Sequence, residues 1–293
     1  MPRPEPLSVL EHVWRFDAIG TAWEIDSVDP LGIEQRDRVE ARIEEYDRTW
    51  SRFRSDSAVS LLRSQPGEHV FPPEADALFA LYDTLAELTG GSVTPFVGDA
   101  LETLGYDADY SLVPRGPAAP APSWRAARLH GGVAVHTEAG VVLDVGAAGK
   151  GHLVDLVLEE LGAAGPIVVD ASGDLRARGV RELTVALEHP YDPTRAIGVA
   201  TPGERALCAS ASNRRVWGEG LHHVLDGLTG RPVETVVATW AVAESALVAD
   251  GLATALFVCS PDVLAERFEF DFVRVFSDGT LHSSPHFPGE VFR

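Results

Sequence analysis

VVLDVGAAGKGHLVD, residues 141–155, is the stretch on which the reading of this chain turns. An apolar strand over residues 140–145 delivers Asp144 to its end. A loop of small residues, Gly146, Ala147, Ala148 and Gly149, then leads through Lys150 and Gly151 into a helix over residues 152–161, closed by Gly162. Small residues let backbone approach a ligand closely, and a helix N-terminus favours anionic groups. A lysine at that point suits phosphate as a compact charge. His152 follows Gly151, so the spacing is not that of a Walker A loop, nor is it G-x-G-x-x-G. The bland alternative is a tight strand–helix turn with a solvated lysine.

Composition sharpens the interest in Lys150. Of 24 basic residues it is the only lysine, and Asn213 is the only asparagine. Strong coding bias replaces lysine by arginine wherever either serves. A surviving lysine then marks a place that needs a compact ammonium rather than a guanidinium fork, unless it survives by chance. The chain has 293 residues, 45% hydrophobic and 23% charged, an ordinary globular mixture. Its formal net charge of −20 disfavours nucleic acid and anionic membrane as partners, but not a phosphate-bearing small ligand. Cys208 and Cys259 make neither a disulfide framework nor a zinc site, consistent with a reducing compartment. The opening MPRPEPLSVLEHVWRF has no continuous apolar core of a secretory signal. The most apolar stretch, residues 236–258, is broken by Glu244 and Asp250 and so is no membrane span.

Outward from the central stretch, residues 128–135 are expected to pair as a strand with residues 140–145. Residues 113–122, VPRGPAAPAP, read as a surface loop. Residues 74–88 carry a helical stripe of Leu78, Leu81, Tyr82, Leu85 and Leu88, stopped by Gly90 and Gly91. Residues 35–50 carry another of Val39, Ile43, Tyr46 and Trp50. Strands are expected over residues 22–28, 167–170, 182–188, 196–201 and 235–242, and a closing hairpin over 272–276 and 280–283 turns at Asp278 and Gly279. Helices and strands mix without a strict βαβ rhythm, so the fold class is α+β with a mixed or antiparallel sheet core and packed helices. One domain over residues 1–293 is expected, two lobes being the alternative.

Three further constellations bear on chemistry. Ser172, Gly173 and Asp174 follow the strand over 167–170 and either meet a ligand edge or simply turn the chain. His222 and His223 precede Val224, Leu225 and Asp226. A histidine there is an acid, a base or a plain structural residue. On the helix over residues 245–258, Asp250 and Thr254 stand four apart, so their oxygens share one face. A carboxylate with a hydroxyl on a buried helix suits a hard cation such as Mg²⁺, the alternative being an internal hydrogen bond.

Taken in order, these stretches resemble the FAD:protein FMN transferase family, the ApbE-type flavin transferases. The resemblance also takes in Ala18-Ile19-Gly20-Thr21, the Ser-rich loop Ser51-Arg52-Phe53-Arg54-Ser55-Asp56-Ser57, Gly90 through Pro95, and His223 through Gly230. It implies a T-fold-like architecture and Mg²⁺ held by Asp250, Thr254 and the Ala147 carbonyl. It implies FAD contacts from Ile19, Phe53, Ser92, Val93, Thr94, Asp144, Lys150, Gly173, Asp174 and Val224, and catalytic roles for His223 and Lys150. The implied reaction is attack by a threonine hydroxyl of an acceptor protein on the FMN phosphorus of FAD, with AMP leaving. Hydrolysis of FAD to FMN and AMP, and non-catalytic FAD binding, are the alternatives. The chain departs from the family pattern at Ile19 for Met, Thr94 for Asp, Gly227 for Pro and Asp170 for Asn. The missing leader and lipid-anchor cysteine point to a cytoplasmic enzyme.

Overall fold

Along Val236–Ala243 successive side chains point to opposite faces, and both faces are apolar. Ala241 and Ala243 pack toward the helices, while Trp240 and Val242 belong to a second core on the other side. A strand apolar on both faces has to lie inside a sheet covered on both sides, and this one does. The computed structural model describes residues 10–128 and 131–292. Its main strands are β1 (His12–Ala18), β2 (Thr21–Ser27), β3 (Ile167–Asp170), β4 (Asp174–Arg178), β5 (Val185–His189), β6 (Asp192–Ala200), β7 (Ala206–Ala211), β8 (Val236–Ala243), β9 (Asp271–Phe276), β10 (Leu281–Ser283) and β11 (Gly289–Val291). An eight-stranded sheet has the order β1-β2-β3-β4-β7-β8-β9-β10, and β11-β6-β5 make a second, three-stranded sheet. Every pairing in both is antiparallel, so the α+β expectation holds and the sheet is antiparallel rather than mixed.

Four helices build and support the site: α1 (Ile33–Trp50), α2 (Ala75–Leu88), α3 (Gly149–Glu160) and α4 (Ala246–Ala255). They cover one face of the large sheet, and the small sheet covers part of the other. The stripes on α1 and α2 are buried as their spacing predicts, apart from Leu88 at the helix end, which is only partly buried. Ser245 caps α4 by accepting from the Val248 N–H. Nearly the whole circumference of α4 is buried, because it is wedged between α3, α2 and the sheet.

Three expectations fail around the central stretch. Residues 140–145 join no ladder. Their donors go elsewhere, Val141 N–H to Leu62 O, Val142 N–H to Asp99 Oδ2 and Asp144 N–H to Pro95 O. Buried backbone needs partners of some kind, and carbonyls and a carboxylate on short helices serve as well as a strand. The strand expected over 128–135 is instead Ala134–Thr137, paired with Gly67–Val70; Leu129 and His130 lie outside the described residues. The helix of the central stretch begins at Gly149, three residues earlier than the glycines suggest. The reading of the amino-terminal residues falls largely on positions 1–9, outside the described residues. Among the described residues no helix is long and apolar enough to cross a membrane.

Candidate active site

Ala148, at the N-cap of α3, has no side chain that could satisfy the helix. Asp250 of α4 does it instead, its Oδ2 accepting from the Gly151 N–H at 2.9 Å. Asp155 of α3 returns the favour, accepting from the Ala246 and Leu247 N–H groups at 3.0 and 2.9 Å. Each helix thus caps the other, and each N-terminal dipole meets a carboxylate. Gly151 allows this contact. A Cβ there would lie 2.1 Å from the Ala246 carbonyl oxygen and 2.7 Å from Asp250 Cβ.

The mutual capping places Asp250 at the floor of a cleft of about 690 Å³. Thr254, one turn along, faces the same cleft, and its Oγ1 donates to the Ala147 carbonyl at 3.2 Å. Carboxylate, hydroxyl and carbonyl therefore converge, all hard oxygen donors of the kind Mg²⁺ takes. No group of three or more His, Cys, Asp or Glu side chains gathers at a metal position among the described residues, so a cation here would rely on the hydroxyl and the carbonyl. Burial, reinforced by Asp174, pushes the Asp250 carboxyl well above its usual range. An isolated carboxylate in such a place resists ionisation, and a cation beside it would reverse that.

Lys150 lines the cleft but is already engaged. Its ammonium donates to the Ala171 carbonyl at 2.8 Å and the Ser172 carbonyl at 3.3 Å, and pairs with Asp174 at 3.1 Å. Burial works to lower its pKa, while Asp174 and Asp250 more than offset that and hold it above the usual value. Asp174 is 0% exposed and also accepts from the Ala209 N–H. Gly173 and Asp174 do not line the cleft. Asp174 sits behind Lys150 and holds it, a different task from the ligand contact expected of it.

The remaining predicted positions converge on the same cleft. Ile19, Phe53, Ser92, Val93, Thr94, Asp144, His223 and Val224 all line it. Ile19 and Gly20 form the β1–β2 turn with φ of +45° and +75°. A β-branched residue in the left-handed region is strained, so the isoleucine stands at a costly position. Thr94 accepts from the Phe96 N–H, which supplies the short-side-chain turn contact that an aspartate there would also make. Burial, then the nearby charges of Arg215 and His222, lowers His223 to about 4, so its ring is neutral at pH 7. Its Nδ1 is buried and makes no hydrogen bond among the described residues.

Comparison with known proteins places this geometry. The model of the ApbE family matches residues 19–271. This chain belongs to the ApbE family. An ApbE relative, the FAD:protein FMN transferase of Rhodobacter capsulatus, is 26% identical, the alignment covering 92% of this chain and 56% of that one. The FAD:protein FMN transferase of Treponema pallidum is 28% identical over 83% of this chain and 77% of its own. This chain thus spans little more than half of the Rhodobacter relative and about three quarters of the Treponema one. In fold, the crystal structure of the ApbE protein of Thermotoga maritima superposes with a TM-score of 0.78 at 23% identity, covering 95% of this chain and 99% of that one. The flavin transferase ApbE of Vibrio cholerae gives 0.76 at 21%, covering 94% and 97%.

Several site residues of this ApbE member were not foreseen. Arg52 is buried against Asp144, and Tyr106, Tyr110 and Arg215 form the aromatic and cationic wall beside Phe53. Tyr106 and Tyr110 lie in a stretch with no helical or strand period, and only their density of aromatic side chains could have drawn notice. Asp155 closes the central stretch, yet its capping partner is 91 residues away in sequence.

Proposed function

We propose that this protein transfers FMN from FAD to a threonine hydroxyl of an acceptor protein, with Mg²⁺ as the bound cation and AMP as the product released. The observation that carries this reading is the meeting, in one cleft, of the oxygen trio Asp250, Thr254 and Ala147 with the neutral ring of His223. The names of the relatives support it. Asp250, Thr254 and the Ala147 carbonyl would hold the cation, which supplies charge neutralisation on the pyrophosphate. The cleft falls in the size range of cofactor sites, and its Phe53–Tyr110 wall, with ring centroids 5.1 Å apart, offers flat apolar surface to a ring system. Lys150, fixed by Asp174, adds fixed positive charge that needs no reorganisation during the reaction. The His223 ring, which lines the cleft, would take the proton from the acceptor hydroxyl. The hydroxyl oxygen bonds to the FMN phosphorus, and the P–O bond to AMP breaks with its electron pair leaving on AMP.

The test combines purified protein, FAD, Mg²⁺ and an acceptor polypeptide with a single threonine. Flavin fluorescence that survives denaturation on the acceptor, matched by AMP, is expected. AMP without covalent flavin would make water the acceptor, and bound but unchanged FAD would overturn the enzymatic reading. Asp250→Ala should lower AMP release by about a thousandfold, roughly 4 kcal/mol of transition-state stabilisation. FAD affinity, read by flavin fluorescence quenching, should fall far less.

A further inference from the structure

We propose that Arg52 is a positioning residue for the cation site, acting through Asp144 and Gly146 to fix the carbonyl of Ala147. This rests on the proposed role of Ala147, Asp250 and Thr254 as the cation-holding set. Arg52 lies two residues beyond the end of α1 and is only 4% exposed. A buried guanidinium is costly unless it is paired, and here the Nε–Asp144 bond is the pairing, since Nη1 and Nη2 are buried without a hydrogen bond among the described residues. Its Nε donates to Asp144 Oδ2 at 2.5 Å. The other oxygen of that carboxylate, Oδ1, accepts from the Gly146 N–H at 2.6 Å. The next residue is Ala147, whose carbonyl meets the Thr254 hydroxyl at 3.2 Å. Guanidinium, carboxylate, turn amide and carbonyl thus form one contiguous series ending at the cleft floor.

The series is anchored at its far end. The Arg52 guanidinium lies 4.2 Å from the Phe53 ring centroid and 4.9 Å from that of Tyr106, and Glu102 stands 3.8 Å from its Nη1. Glu102 is itself gripped by Arg63. The two ring faces and the Glu102 charge thus restrain Arg52, and Asp144 is held on one oxygen while the other holds the turn. The turn is built to fit this grip: a Cβ on Gly146 would lie 2.7 Å from Asp144 Oδ1. Groups that orient a ligand without touching the ion commonly change metal affinity by about 10–100-fold when removed.

Manganese serves as the probe, with free Mn²⁺ counted by electron paramagnetic resonance in the presence of the full-length protein. Arg52→Met should raise the Mn²⁺ dissociation constant by about tenfold or more. Arg52→Lys keeps the charge but not the planar fork, so it should recover part of the affinity, which a loss of packing alone would not predict. If Arg52→Met does not fold, Gly146→Ala breaks the same series at its other end and should weaken Mn²⁺ binding comparably. Combined with Arg52→Lys, it should add little to its own effect, since both act through one carboxylate. A Mn²⁺ constant within about twofold of wild type in either folded variant, on a scale where the expected change is tenfold, would overturn the proposal while leaving the cation reading intact. A wild-type protein that binds no Mn²⁺ would overturn the cation reading and this proposal with it.

Discussion

His152 sits one turn into α3, behind the cleft, where burial and then the charge of Arg42 lower its pKa to about 4. Its Nδ1 is 3.3 Å from the Tyr46 hydroxyl, which in turn donates to the Gly149 carbonyl at the start of the same helix. A histidine kept neutral by the fold gives up stability in acid. Between pH 6.5 and about 4 the unfolded chain binds a proton that the folded one refuses, so stability rises with pH across that window. The contribution is fully present above pH 6.5 and lost as pH falls toward 4, about 3 kcal/mol in all. In urea titrations His152→Gln should flatten this dependence, and an unchanged slope would place its origin in other groups. At this scale the sequence was informative where chemistry and spacing coincide. Asp250 and Thr254 share a helix face four residues apart on an apolar helix, and that alone marks a polar pair in a place that must use it. Nothing local distinguishes Arg52 from Arg54, two positions on. The first is buried on Asp144, and the second is a half-exposed partner of Asp47 and Asp56.

Between elements, the crossing of α3 and α4 is the contact on which the site depends. Reciprocal capping ties the two N-termini together, and Gly151 sets how near they come. Gly151→Ala should therefore separate the helices, although alanine favours a helix. Overpacking of about 1–3 kcal/mol should outweigh a propensity gain of about 1 kcal/mol. The melting temperature should fall by several degrees, and Asp250 should lose its contact to the Gly151 amide. An unchanged or raised melting temperature would show that the crossing relaxes at little cost. Both helices were legible in the sequence, the first between its Gly-rich turn and Gly162, the second behind Ser245 as a cap. Their mutual capping was not, because Gly151 and Asp250 stand 99 residues apart. The same limit explains the missed start of α3: no residue at position 148 carries a capping side chain, and the cap arrives from another helix.

For the whole molecule, a net charge of −20 means that carboxylates repel one another over most of the surface. Raising NaCl from about 0.01 to 0.3 M shortens the screening length from about 30 Å to below 10 Å and should raise the melting temperature. A fall instead would show that ion pairs such as Arg54 with Glu44, Asp47 and Asp56 outweigh the repulsion. The α+β class, the helices with their buried stripes, the strands at Ile167–Asp170 and Val236–Ala243 and the closing hairpin were determined by the sequence itself, because periodicity and turn chemistry act over a few residues. Only the tertiary structure decided that residues 140–145 satisfy their backbone on short helices rather than a strand, that Asp174 stands behind Lys150 instead of in the cleft, and that Arg52 grips Asp144. These are contacts between distant segments, and their partners are chosen by which surfaces the packed sheet and helices bring within reach.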